Sequence, residues 1–235
     1  MENMNNMNNY ENDNMQNWQQ QEELPSYQRE LSGRQYNVLI GVHLLYGLAL
    51  TAFICMKLPY IMPQIYSVHP VAFTVGFFAI CLFGGVIGKR ENYILSFISY
   101  TLIVLAFGAS LSFTLLFYPV YLIFVAAILT FVVVLTMTVA AVFMPDAFLS
   151  LGKVLFISLI GLVIAESVCF FLGIFTPNFL LLIGIFIFSL YVGYDWARGQ
   201  QYPSLPSYAC YTALQLYMDI FNLFIRILRL MGRRR

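Results

Sequence analysis

The sequence contains little charge: Asp, Glu, Lys and Arg make up 10% of its 235 residues, against roughly 25% in an ordinary soluble domain. Twelve Lys and Arg balance eleven Asp and Glu to a formal net charge of +1. No basic excess is available to neutralise a phosphate backbone, so we expect no nucleic-acid partner. Hydrophobic residues make up 60% of the chain, more than a water-soluble fold can bury. The composition therefore predicts an integral membrane protein whose surroundings are the lipid bilayer.

The sequence also lacks the patterns of metal and cofactor sites. None of its four cysteines has a close partner in sequence, which gives no support for a zinc site or a disulfide. The glycine-rich run that ends in Lys89-Arg90 lacks the first Gly and the Ser or Thr of a phosphate-binding loop. We therefore expect no cofactor.

Residues 1–36 differ from the rest of the chain because Asn, Gln, Glu and Met dominate them. Such a segment has too few apolar residues to offset the entropy of folding. We interpret it as a disordered cytoplasmic tail. Residues 37–232 are expected to form one transmembrane domain.

Seven apolar stretches of about twenty residues fill this domain, each long enough to cross about 30 Å of hydrocarbon as a helix. They predict an all-α integral membrane protein with a seven-helix bundle. Breaks with turn residues separate them, among them Lys57-Leu58-Pro59 and Met144-Pro145-Asp146. The stretches are approximately Val38–Met56, Pro70–Gly88, Ile94–Phe117, Pro119–Phe143, Ser150–Ile174, Asn178–Trp196 and Tyr208–Met231.

The basic residues leave the orientation open, although positively charged loops usually stay in the cytoplasm. With seven full crossings, each side of the membrane would carry six of the twelve Lys and Arg residues. If the last stretch lies in the interface or turns back, all of them except Lys57 would be cytoplasmic.

The last stretch carries polar residues at spacings of 4, 3, 4 and 3, which places them on one face of a helix. We call this face the polar stripe; its members are Gln215, Asp219, Asn222, Arg226 and Arg229. The stripe fits an amphipathic helix in the membrane interface, or a central helix that faces a polar bundle interior. The position of Asp219 in mid-stretch favours the central helix, with Gln215 and Asn222 lining a pathway.

Two aspartates are equally far in sequence from Ser207, which lies at the turn between the last two stretches. Asp195 precedes it and Asp219 follows it, each by twelve residues. An antiparallel hairpin would therefore bring them to a similar depth. Two carboxylates a few ångströms apart in a low dielectric titrate as one unit and share a proton. The alternative is that each Asp caps a helix or pairs with a neighbouring Arg.

The C-terminal part of the chain resembles the transmembrane Bax inhibitor motif family. The resemblance is carried by Tyr191-Val192-Gly193-Tyr194-Asp195, by the run 213–224 (ALQLYMDIFNLF) and by Leu228-Arg229-Leu230-Met231-Gly232. It implies a seven-helix bundle around a central last helix, with the N-terminus inside and the last helix crossing the membrane. Bacterial members of the family are pH-sensitive calcium leak channels, and eukaryotic members regulate calcium stores and cell death.

The resemblance also assigns roles to individual residues. Asp195 and Asp219 match the family's proton-sharing gate and would bind calcium transiently. A basic residue of the second helix latches this pair in the family, and the matching residues are Arg90 and, second, Lys89. On this basis we expect a calcium leak channel rather than an enzyme, in the plasma membrane if the source is bacterial. An intramembrane aspartyl protease is an alternative, although no Gly-x-Gly box precedes Asp219. A non-conducting regulator that acts through partner membrane proteins is another.

Three further polar residues lie in or beside the apolar stretches. Glu166, inside the fifth stretch, is a candidate for the pathway or for a buried hydrogen bond, because an unpartnered charge there is costly. His43 fits a packed, hydrogen-bonded residue better than a pH sensor. Lys153 is expected to extend its ammonium group to the membrane interface.

Overall fold

The computed structural model describes residues 30–61, 92–174 and 176–232. Every regular element within these ranges is a helix. The helices are α1 (Gly33–Ile61), α2 (Tyr93–Leu115), α3 (Val120–Phe143), α4 (Pro145–Ser150), α5 (Gly152–Phe171), α6 (Asn178–Gly199) and α7 (Pro206–Gly232). The predicted second stretch Pro70–Gly88 lies outside the described residues, as do Lys89, Arg90 and most of the predicted tail.

Helix α1 corrects two predicted boundaries. It begins at Gly33, so residues 33–36 belong to the helix and not to the tail. The reason is Tyr36, which is buried and donates a hydrogen bond to the carbonyl of Gly199 at 3.0 Å. The helix also continues through Pro59 to Ile61. Proline removes one backbone hydrogen bond, and so close to the C-terminal end of the helix this loss does not end it.

The sequence does not predict helix α4, because Met144-Pro145-Asp146 indicates only a break between two apolar stretches. Pro145 occupies the first turn of this six-residue helix, where its missing N–H costs nothing and its fixed φ favours the helix. A single turn and a half is too short to show a helical period in the sequence. Phe148 anchors α4 by packing with Ala141 of α3 and Ala197 of α6.

Local hydrogen bonds determine where two of the longer helices begin and end. Asn92 caps α2 because its side-chain oxygen accepts from the N–H groups of Ile94 and Leu95, at 3.0 and 3.3 Å. Helix α5 ends in a Schellman motif: Gly173 has φ +67°, and the N–H of Ile174 donates to the carbonyl of Cys169 at 2.9 Å.

Five helices are long and apolar enough to cross a membrane: α1, α2, α3, α5 and α6. Large apolar side chains such as Phe124, Phe131 and Phe156 are exposed on the outer faces of α3 and α5, as expected for contact with lipid. Helix α7 has 27 residues, about 40 Å at about 1.5 Å per residue, but it carries the charged members of the polar stripe. The fold is thus an all-helical membrane protein with five candidate spans among the described residues.

Helix α7 packs against α1, α2, α3 and α6. It contributes to three of the buried apolar clusters: Tyr217 and Phe221 pack with Tyr100 and Phe107 of α2, Leu223 packs with α3 and α6, and Leu216 packs with α1 and α6. The polar stripe therefore runs along a helix that is largely buried by its neighbours.

Candidate functional site

The turn between α6 and α7 brings the two aspartates together. Their carboxyl groups lie close enough to share a hydrogen bond, and each residue is only 6% exposed. The hairpin can close tightly because residue 199 is glycine: a Cβ atom there would lie 3.0 Å from the hydroxyl oxygen of Thr212. The juxtaposition inferred from their equal distance to Ser207 is therefore present in the structure.

An arginine and a tyrosine of α6 surround the pair. Arg198, one turn beyond Asp195, interacts electrostatically with that carboxyl group. Its guanidinium carbon also lies 5.8 Å from the ring centre of Tyr194 and 6.0 Å from that of Tyr202, within the range of cation–π contacts. Tyr191 lies one turn before Asp195 and is close enough to interact with both aspartates.

A cavity of about 680 Å³ opens beside the pair. Its walls come from the end of α4, the start of α5, the last two turns of α6 and one residue of α7. Polar groups face it from all four helices, and the buried carboxyl group of Asp195 lies at its wall. The polar residues that line it are Ser150, Lys153, Tyr191, Tyr194, Asp195, Arg198 and Gln215.

Two buried oxygen atoms near this cavity have no hydrogen-bond partner among the described residues. They are Oδ2 of Asp219 and Oε1 of Gln215, which are four residues apart on the same face of α7. A buried acceptor without a partner costs free energy, so each oxygen favours a proton donor or a cation as its partner. Asn222 differs, because its amide nitrogen donates to the carbonyl of Met218 at 2.8 Å.

Glu166 has a partner that the sequence did not reveal. Arg226 of α7 donates from both terminal nitrogens to the two carboxylate oxygens of Glu166 on α5, with Nη2 and Oε2 3.1 Å apart. The carboxylate is therefore neither unpartnered nor bonded to its own helix. Arg226 is buried, whereas Arg229, at the end of the polar stripe, is exposed.

The two other polar residues singled out in the sequence, His43 and Lys153, occupy different environments. His43 is buried; its Nδ1 bonds the carbonyl of Leu39 at 2.8 Å and its Nε2 bonds the hydroxyl of Tyr93 at 3.2 Å. It also packs edge-on against Phe97, as expected for a packed residue. Lys153 is exposed and lines the cavity near Asp195.

Sequence reasoning missed Tyr191 and Arg198 as members of the site. The available signal was helical spacing, because positions four before and three after Asp195 share its face of α6. Within the described residues no group of three His, Cys, Asp or Glu side chains is arranged to hold a metal ion.

The chain is similar to known membrane proteins. The family model described as inhibitor of apoptosis-promoting Bax1 matches residues 31–235. An uncharacterized protein of Helicobacter pylori is 33% identical over 102 residues, which are 41% of each chain. An uncharacterized membrane protein of Streptococcus pyogenes is 30% identical over 136 residues, 54% of this chain and 58% of the relative. The inner membrane protein YbhL of Escherichia coli is 35% identical over 94 residues, 36% of this chain and 40% of YbhL.

These matches span about two fifths to three fifths of the relatives' own lengths. The family model, in contrast, covers every helix described above. Together with the apolar spans, it identifies the chain as a multi-pass integral membrane protein that belongs to the Bax inhibitor family.

Proposed function

We propose that this protein is a pH-sensitive calcium leak channel, and not an enzyme, in which Asp195 and Asp219 form the gate. The observation that carries the proposal is the juxtaposition of two buried carboxyl groups, one of which, that of Asp195, lines a polar cavity. Two carboxylates in such contact cannot both ionise easily in a low dielectric, so the pair holds one proton between them. A change of pH alters the charge of the pair and with it the local packing.

Calcium passes the site as the transported ion. Calcium prefers carboxylate and amide oxygens and takes about six to eight of them. The aspartate pair and Oε1 of Gln215 supply fewer than this number, so the ion keeps part of its water and binds only transiently. Such weak binding is what conduction requires, because an ion must leave its site as readily as it enters.

The gate closes through a basic latch from outside the described residues. Oδ2 of Asp219 is buried and has no hydrogen-bond partner in the described part of the chain. The family resemblance assigns this partner to Arg90 or Lys89, which follow the second apolar stretch. A charge-assisted hydrogen bond in a low dielectric is short and strong, so it can bias a two-state arrangement of helices.

The architecture in this proposal has seven crossings with α7 in the centre. Its support is the burial of α7 among α1, α2, α3 and α6 and its single continuous helix of 27 residues. The last helix crosses the membrane instead of turning back. The polar stripe, with Gln215, Asp219 and Asn222, then faces a pathway through the bundle.

Calcium flux into liposomes that contain the purified protein, measured across pH, tests this function. We expect wild-type flux to vary with pH, and Asp195→Asn and Asp219→Asn each to flatten that profile, because an amide cannot take part in the shared protonation. Asp146→Asn is the matched control, since Asp146 is exposed on α4. If both variants keep the wild-type profile at every pH, the pair has a structural role and the proposed gate is wrong. If the wild type shows no flux at any pH, the result favours the non-conducting regulator instead.

A further inference from the structure

A second charged contact lies further along the polar stripe, one turn before its exposed last member Arg229. Arg226 and Glu166 form a two-pronged ion pair between α7 and α5. The Arg226 side chain is 9% exposed and that of Glu166 is 26% exposed. The guanidinium therefore lies in the interior, and the carboxylate lies nearer the rim.

Helix α6 packs directly against this guanidinium group. The Arg226 Cζ atom lies 4.9 Å from the ring centre of Phe188, a cation–π distance. At Gly184, one turn earlier on α6, a Cβ atom would lie 2.7 Å from both Cδ and Nε of Arg226. The absence of a side chain at position 184 is thus what lets Arg226 pass across α6 and reach α5.

Each of the two pairs has one member on α7, and these members, Asp219 and Arg226, lie at different positions along that helix. Arg226 follows Asp219 by seven residues, which is about 10 Å along α7, and Asn222 lies between them on the same face. Where the stripe lines the proposed pathway, a cation that leaves the aspartate pair along it would next meet the guanidinium. An unbalanced positive charge there repels cations, and the Glu166 carboxylate cancels much of that repulsion.

We propose that the Glu166–Arg226 pair is a second charge barrier in series with the aspartate pair, and that its charge balance sets how readily cations pass. This inference rests on the proposed leak function, which it extends to a second position along the polar stripe. Arg226 supplies the barrier, and Glu166 lowers it.

Two single variants in the liposome flux assay test the barrier, because they break the same contact but leave opposite charges. Arg226→Gln leaves the Glu166 carboxylate and should raise calcium flux about tenfold or more, since a fixed charge in a low-dielectric passage changes the local ion concentration by at least that factor. Glu166→Gln leaves the guanidinium and should lower flux by a similar factor. A purely structural contact would shift flux in the same direction in both variants.

Further variants keep the test decisive if a single variant does not fold. Glu166→Gln combined with Arg226→Gln leaves no unpaired buried charge, and its flux should exceed that of Glu166→Gln alone. Arg226→Lys keeps the charge and should retain flux near the wild-type level. Lys57→Gln, which removes an exposed charge at the end of α1, is the control and should not change flux.

Gel filtration should show monodisperse protein for every variant that enters the comparison. Changes of the same direction in Arg226→Gln and Glu166→Gln, or no change in either, would overturn the barrier while wild-type flux still supports the leak. Absence of calcium flux in the wild type at every pH would overturn the leak function and the barrier together.

Discussion

At the scale of single residues, the unpartnered Oδ2 of Asp219 leads to a prediction about Arg90. Arg90→Ala should raise the calcium leak about tenfold at the pH where the wild type is closed. A charge-assisted hydrogen bond contributes about 1.5–3 kcal/mol, and about 1.4 kcal/mol corresponds to a tenfold shift of a two-state equilibrium. Flux into liposomes at that pH measures the effect. Arg34→Ala, an exposed arginine at the start of α1, serves as the control; an unchanged leak in Arg90→Ala would show that this residue is not the latch.

His43 should matter for stability and not for pH sensing, because both ring nitrogens are hydrogen-bonded and the ring is packed among aromatic residues. His43→Ala removes these contacts, and we expect it to lower the free energy of unfolding by about 1–3 kcal/mol. Thermal unfolding in detergent would show this as a lower midpoint. The pH profile of calcium flux should keep its shape, and a displaced profile would instead make His43 part of the sensor.

The site was predictable at residue level where one helix or one hairpin determines the geometry. The positions of Asp195 and Asp219 around Ser207 were sufficient to place the two carboxyl groups together. The pairing of Glu166 with Arg226 was not predictable, because it depends on how α5 packs beside α6 and on the missing side chain of Gly184. Spacing along one helix contains no information on such a contact.

At the scale of helices, α4 packs so closely on α6 that one position of α6 has no room for a side chain. A Cβ atom at Gly193 would lie 2.6 and 2.8 Å from two carbons of the buried Phe148 ring. Gly193→Ala should therefore destabilise the protein by about 1–3 kcal/mol, as overpacking usually does, and lower the midpoint of thermal unfolding.

A matched glycine separates this effect from helix propensity. At Gly161 on α5, an added Cβ atom would meet nothing within 4 Å, so Gly161→Ala should leave the midpoint unchanged or raise it slightly. Phe148→Leu should restore part of the stability of Gly193→Ala. Equal behaviour of the two glycine variants would argue against a tight α4–α6 contact.

The long helices among the described residues are predictable from hydropathy to within a few residues at most ends, since a span must be long and apolar. The exceptions have local causes. Helix α1 is extended at its start by the buried Tyr36 and continues past Pro59, and α4 is too short to have a period. The sequence pattern alone predicts neither the tertiary contact of Tyr36 nor the short helix α4.

At the scale of the whole molecule, the proposed central position of α7 predicts which side chains lipid can reach. Single cysteines at Gln215, Asp219 and Asn222, in a background without the four native cysteines, should be protected from thiol probes dissolved in the membrane. Cysteines at Phe124 and Phe156, which are 67% and 61% exposed, should react readily. Labelling rates would measure the difference, and rapid labelling of the three stripe positions would contradict a central α7.

The hydroxyl group of Tyr36 has a consequence for biogenesis. It bonds the carbonyl of Gly199 and the hydroxyl of Thr212, which lie 163 and 176 residues later in the chain. During synthesis, therefore, α1 is made long before α6 and α7 leave the ribosome. Closing such a long loop costs entropy. Until α6 and α7 arrive, the Tyr36 hydroxyl group must form hydrogen bonds with water, lipid headgroups or the insertion machinery. The contact of α1 with α6 and α7 is thus a late event that follows the synthesis of α7.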